Sequence, residues 1–129
     1  MKGGDIMATY NIDMTVGERL MAQKLLNEAK GELSLDGFRD AIDLTHKLRL
    51  TEEEVTKVGY RLLEPTEMNP NGGIQWDDLT YSAAIAMDGD QYKLLRRRVE
   101  KRDEDAKFSL EDGDHMLTLA DKLMAAKSE

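Results

Sequence analysis

"VGYRLLEPTEMNPNGGIQWDD", residues 58–78, decides the fold class, because the apolar period changes inside it. Upstream, apolar residues recur every three or four positions, as a helix requires. Here Tyr60 and Leu62 alternate around Arg61, as a strand requires. The centre, "TEMNPNGG" at 66–73, concentrates asparagine, proline and paired glycine, the residues that turn a chain. Strand texture resumes at Ile74 and Trp76. The stretch predicts a β-hairpin with a long loop. "YSAAIAM", residues 81–87, adds a third strand with Tyr81, Ala83, Ile85 and Met87 on one face, although its alanines also suit a short helix.

Helices are expected on both sides. In "MTVGERLMAQKLLNEAKG", residues 14–31, Thr15 and Glu18 have capping-box spacing, Met21, Leu25 and Ala29 form a stripe, and Leu20 and Leu26 widen it. Gly31 is the expected stop. A helix apolar over so much of its circumference needs cover from more than one side, which predicts a homodimer or larger closed oligomer with Met21, Leu25 and Leu26 near the contact. A second helix starts at Ser34 and places Phe38, Ala41, Ile42, Thr45 and Leu48 on one face; a third, short helix opens on Thr51 and Glu54. Downstream, a helix capped by Asp88 or Asp90 carries Tyr92, Leu95, Val99 and Ala106. The last follows a Ser109–Asp112 box, with Leu110, Leu117, Ala120 and Met124 inward. No internal repeat, low-complexity tract or linker is visible. The reading is α+β: four to five helices around a small antiparallel hairpin or three-stranded sheet, in a single domain over 7–129.

Residues 1–6 stand apart. Lys2-Gly3-Gly4 can be encoded as a purine run typical of a bacterial ribosome-binding site, with Asp5 and Ile6 as spacer before Met7. Met7 is therefore the expected start and 1–6 a translated leader, which points to a bacterium or a bacterial virus and removes these residues from the fold argument.

Composition narrows the function. The 129 residues are 40% hydrophobic and 34% charged, with net charge -8, which argues against a general DNA-coating role. The absence of cysteine excludes disulfides, thiol catalysis and cysteine-ligated zinc. No apolar run approaches the roughly 18 residues needed to span a bilayer, and no secretory signal is visible. A cytoplasmic protein is expected, with no membrane partner.

The strongest chemical signal is "LLRRRVEKR", with five basic residues between Arg96 and Arg102. Arg97, Arg98 and Lys101 project away from the apolar stripe, and guanidinium forks suit phosphate oxygens. Acids four residues away (Glu100 from Arg96, Asp105 from Lys101) make a solvated, self-paired face the simpler account. "MDGDQY" and "LEDGDHM" resemble cation loops only superficially; both sit where acids cap helices, and no metal is expected. His46 and His115 have no nucleophile motif around them, and "NPNGGIQW" lacks the lysine and helix of a phosphate loop. Trp76 reads as a core anchor or as a partner hot spot. No catalytic constellation or cofactor follows.

The order of "MTVGERLMAQKLL", "LRLTEEEV", "GGIQWD" and "FSLEDGDHMLTLADKL" is similar to that in small phage and prophage proteins, over roughly residues 14–125. The "EPTEMNPNGG" loop and the "LLRRRVEKR" run depart from that pattern. The resemblance implies a phage accessory protein in a bacterial host cell and supplies no catalytic residues. The expected function is non-enzymatic binding of a host or phage protein, in interference with host defence or in assembly. The alternative is capture of a phosphate-bearing ligand, such as a nucleotide signal, by Arg97, Arg98 and Lys101 with Trp76 or Tyr81 stacked on its base.

Overall fold

The computed structural model describes residues 9–29 and 33–127; the leader, the start at Met7 and the Gly31 stop lie outside them. In chain order the elements are β1 (Thr9–Thr15), α1 (Val16–Asn27), α2 (Leu35–Leu48), α3 (Glu52–Val58), β2 (Arg61–Leu63), β3 (Gly73–Gln75), β4 (Ser82–Asp88), α4 (Gly89–Glu104) and α5 (Gly113–Ala125), with a single 3₁₀ turn at Leu110–Asp112 before α5. The class is α+β, with five α-helices and two antiparallel sheets of two strands each among the described residues. The hairpin is β2–β3. The 81–87 segment is a strand, but it pairs with β1 rather than with the hairpin.

β1, "TYNIDMT", went unread because one isolated strand of seven residues shows only two strongly apolar side chains on its inner face, Ile12 and Met14. Its register settles the matter. Ile12 lies opposite Ile85, Met14 opposite Ala83 and Tyr10 opposite Met87, so the apolar positions of both strands point into the helical layer. Tyr10 also stacks on Tyr92 of α4, ring centroids 3.9 Å apart.

Each of these strands runs straight into a helix through a capping box. Thr15 accepts from the Glu18 N–H while Glu18 accepts from the Thr15 N–H; Asp88 and Gln91 do the same for α4. The segments align as Ile12-Asp13-Met14-Thr15…Glu18 and Ile85-Ala86-Met87-Asp88…Gln91. With Ile12 paired to Ile85, the two β-α units face each other across a local two-fold relation. The helices repeat it: α1 packs on α5 as α4 packs on α2, and α2 follows α1 as α5 follows α4. A repeat absent from the sequence reading is thus present in the structure. It went unread because only four positions carry it into the first helix of each unit, the Ile and Met of each strand and the two capping-box residues, and the rest of α1 and α4 has diverged.

Three apolar faces differ from expectation. In α2 the buried residues are Ala41, Leu44 and Leu48, while Phe38 and Ile42 are exposed. In α5 they are Met116, Leu119 and Leu123, about 100° round the helix from the expected Leu117 and Met124, which face solvent with Leu110. Ala106 lies beyond the end of α4 with φ at 52° and is exposed.

Leu25 and Leu26 are buried inside the chain and Met21 is half-buried. The breadth of apolar surface on α1 is accounted for within one chain, because α2, α4 and α5 all pack on it. Leu25 and Leu26 therefore have almost no surface to offer another subunit.

Candidate functional site

Three surfaces carry the residues singled out above: a β-arm, an apolar groove and the basic side of α4.

The arm begins where α3 ends. Gly59 adopts φ 72°, the left-handed conformation that turns the chain out of the helix, and a Cβ there would meet the Asp77 carboxylate. The Val58 carbonyl then accepts from the Asp77 and Asp78 N–H groups at 2.8 and 3.1 Å, and Arg61 pairs with Asp77 at 3.1 Å, which closes the base of the arm. At its far end Gly72, φ 71°, sits against the Leu63 carbonyl, and Thr66 and Asn69 exchange backbone hydrogen bonds across the loop. β2 and β3 pack extensively only on each other. Leu62, opposite Ile74, is 74% exposed; Met68 is 98% and Leu79 70% exposed. Around these apolar groups residues 60–80 carry Glu64, Glu67, Asp77 and Asp78 against Arg61, a net charge of 1 − 4 = -3. Trp76 anchors the base: its ring lies 6.0 Å from that of His115, which in turn covers Gly17.

A groove of about 640 Å³ lies between the end of α1 and the first half of α2. Leu26, Ala29, Leu33, Phe38 and Ile42 line it, and among the described residues none that lines it is charged. Its outer rim is an apolar stripe on α2, Leu35, Phe38 and Ile42, at helical spacing and exposed. Its counterpart in the second β-α unit is a smaller cleft of about 250 Å³ between Phe108, Met116, Leu117 and Ala120.

The basic run of α4 is held by acids. Arg97 forms a two-pronged pair with Glu104 at 2.8 and 3.2 Å, and Lys101 stands 3.5 Å from Asp105. Arg98 donates to the Glu28 carbonyl at 3.3 Å. Arg102 bridges Glu28 and Asp112, and Lys24 reaches Asp112 as well. These pairs set the titration. The Arg102 guanidinium holds Glu28 below the usual carboxylate range; the Ser109 N–H, with Arg102 and Lys24, lowers Asp112 despite its burial. A polar cleft of about 420 Å³ remains beside Arg98, Lys101, Arg102 and Lys107, with Glu28 and Asp105 in its wall.

The aromatic partners for a bound base are elsewhere. Tyr81 donates to Glu54 at 2.6 Å, and Glu54 is gripped by Arg19 at the start of α1. Trp76 reaches the same end of α1 through His115 and Gly17. Arg98 and Arg102 meet Glu28 at the other end. Nine helical positions, about 13 Å of rise, separate Arg19 from Glu28. The structure does not bring Trp76 or Tyr81 onto the basic face.

Arg19 itself was missed. Its guanidinium is 3% exposed, donates to the Leu48 and Arg49 carbonyls at 2.9 and 2.6 Å, and pairs with Glu54 at 2.7 Å. This bond, helped by Tyr81 and the Thr51 N–H and opposed by burial, lowers the Glu54 pKa to about 2. Nothing local in "GERLMAQ" reveals it, since its partners lie about 30 positions away. The apolar stripe of α2 was legible as apolar, but its exposure was not.

Of the acid-glycine-acid clusters the first caps its helix, with Asp88 accepting from the Gln91 N–H of α4; in the second, Asp112 accepts from the Ser109 N–H of the 3₁₀ turn and makes no side-chain cap bond to α5. Among the described residues no group of three or more His, Cys, Asp or Glu side chains could hold a metal ion, and no helix is long and apolar enough to cross a membrane. No family model, curated protein or solved structure matches the chain.

Proposed function

We propose that this chain is a non-enzymatic accessory protein of phage type, working in the bacterial cytoplasm, that grips a host or phage protein with its β-arm. The observation that carries the reading is the arm itself: Leu62, Met68 and Ile74 on the hairpin and Leu79 just beyond it are exposed to water, and β2 and β3 pack extensively only on each other. Exposing large apolar side chains in one place opposes solubility and contributes nothing to the core, and such patches mark interaction surfaces. The negative charge of the arm favours a basic surface on the partner and steers encounter with it. Interference with host defence and a role in assembly both fit this mode of action.

The test is parallel capture from host lysate and from infected lysate with wild type and Leu62→Glu/Ile74→Glu. Both substitutions fall on exposed positions, so the fold is expected to survive, as circular dichroism would check. A protein retained by wild type and lost by the variant supports the reading; one retained equally by both, or none, sinks it. Capture of a nucleotide is the weaker reading here, because Arg97 already holds the Glu104 carboxylate, Arg98 already donates to the Glu28 carbonyl, and the aromatic groups lie at the other end of α1. Calorimetry against linear and cyclic nucleotides is expected to show no binding. Tight binding abolished by Arg97→Ala/Arg98→Ala would reverse this order.

A further inference from the structure

The two-fold relation between the β-α units continues into their second helices. Ile12, Met14, Thr15 and Glu18 recur 73 positions on as Ile85, Met87, Asp88 and Gln91. In α2 and α5 the separation is 75: Ser34, Leu35, Leu44, Lys47 and Leu48 recur as Ser109, Leu110, Leu119, Lys122 and Leu123. Burial follows the same pairing. Ala41, Leu44 and Leu48 are the buried residues of α2, Met116, Leu119 and Leu123 those of α5, and Ile42 is exposed as Leu117 is. Two unrelated amphipathic helices could differ by any rotation, so agreement at every buried position marks one pattern used twice.

Side-chain chemistry repeats as well. Lys122 donates to Glu18 at 2.7 Å, and Lys47, its equivalent, donates to Gln91 at 2.8 Å. One turn before each lysine a second polar group meets the same residue: Thr118 bonds to Glu18, and Asp43 accepts from Gln91 at 2.5 Å. Glu18 and Gln91 close their capping boxes, and each is 1% exposed. Each lysine thus reaches the first helix of the other unit, and the units interlock as the subunits of a closed dimer do.

We infer that the chain is a fused dimer, two copies of one β-α-α unit over residues 9–48 and 82–123, with the arm as an addition at the join that the scaffold does not need. Residues 49–81, which hold α3 and the arm, fall between the units and match neither. Among the described residues every member of the buried cluster belongs to one unit or the other, and none to 49–81. The ends of the arm already meet, because the Val58 carbonyl accepts from the Asp77 and Asp78 N–H groups. An element with joined ends and no share in the core can be excised without opening a gap. That the arm binds a protein rests on the reading above; that the scaffold stands without it does not.

Thermal unfolding of wild type and three variants tests this. In the first variant two glycines replace residues 60–75, a length that closes a hairpin turn. It is expected to unfold cooperatively, with a Tm within about 5 °C of wild type. A larger fall, or loss of cooperativity, makes the arm part of the core and overturns the inference. The other two transplant one cap site onto its equivalent. Gln91→Glu sets a second carboxylate against Asp43 and is expected to lower the Tm by about 5 °C. Gln91→Glu/Asp43→Thr reproduces around Lys47 the arrangement of Glu18 and Thr118 around Lys122, and should recover that loss. A double variant no more stable than Gln91→Glu denies the equivalence and overturns the inference too. Lysate capture with the arm-excised chain keeps the two readings apart. If it folds and still retains the captured protein, the scaffold inference stands and the binding role of the arm fails. If it does not fold, only the scaffold inference fails, because Leu62→Glu/Ile74→Glu still tests the arm.

Discussion

Arg19 and Glu54 form the pair on which the packing of three helices converges. Arg19 ties α1 to the last carbonyls of α2 and to the first turn of α3, and Glu54 does double duty as the capping-box residue of that turn. Glu54→Gln leaves a buried guanidinium without its counter-charge and is expected to cost about 3 kcal/mol in chemical denaturation. The pH dependence has a definite sign. The folded pKa, about 2, lies below the ordinary value of 4.5, so this stability is fully present above about pH 4.5 and is lost as pH falls towards 2. Glu18, Glu28 and Asp112 shift the same way. For Glu18 burial opposes ionisation, but bonds from Lys122, Thr118 and the Thr15 N–H outweigh it. Acid titration of Glu54→Gln should therefore show a shallower loss between pH 4.5 and 2 than wild type. An identical profile would exclude the pair as a source of acid sensitivity. Gly17 offers a second check: a Cβ there would fall 2.3 Å from the His115 ring. Gly17→Ala should destabilise although alanine is the better helix former. Gly17→Ala/His115→Ala should recover the roughly 1 kcal/mol that helix propensity provides. Additive effects of the two substitutions would refute the contact.

At the scale of elements, the arm and the sheet β1–β4 contrast. β1–β4 pairs seven residues and buries Ile12, Met14, Ile85 and Met87; β2–β3 pairs three, and every residue of β2 is exposed. The arm is held by its base and by Gly72, whose positive φ and close approach to the Leu63 carbonyl leave no room for a side chain. Gly72→Val is expected to collapse the hairpin geometry while changing global stability by less than about 1 kcal/mol, since little apolar area is buried there. It should also abolish retention of the arm's partner. A large loss of global stability would mean that the arm belongs to the core, and the proposed role for it would fail.

Across the whole molecule, stability should divide along the same line. Amides of β1, β4, α1 and α4 lie around the buried cluster of Leu25, Leu44, Leu95 and Leu119 and are expected to exchange hydrogen only through global unfolding. Amides of residues 61–75 should exchange faster by several orders of magnitude. Equal protection in both regions would contradict an arm whose strands pack extensively only on each other. The two-fold relation between the β-α units makes a related prediction. Ile12 and Ile85 face each other at its centre, so Ile12→Ala and Ile85→Ala should be non-additive, the second costing less once the first has opened a void.

The sequence alone determined what is local. Capping boxes at Thr15, Thr51 and Asp88 depend on a hydroxyl or carboxylate and an acceptor three residues on, so the helix starts were legible; the turn residues of 66–73 announced the hairpin for the same reason. Only the tertiary structure decided what depends on distant neighbours. Helical periodicity shows that α2 and α5 are apolar on one side, but a shift of one position turns a face by about 100°, and α1 and α4 chose which residues became core. Leu25 and Leu26, read as surface for another subunit, are buried within a chain in which three other helices pack on α1, while Phe38 and Ile42, read on one face with Ala41 and Leu48, stay exposed where those two are buried. β1 became a strand by finding β4 some 70 positions away. The basic run was visible as charge, but its pairing with Glu28 and Asp112 needed α1 and the 3₁₀ turn to arrive beside α4. Burial is a relation between elements, and a single chain of letters carries it only where those elements are neighbours in sequence.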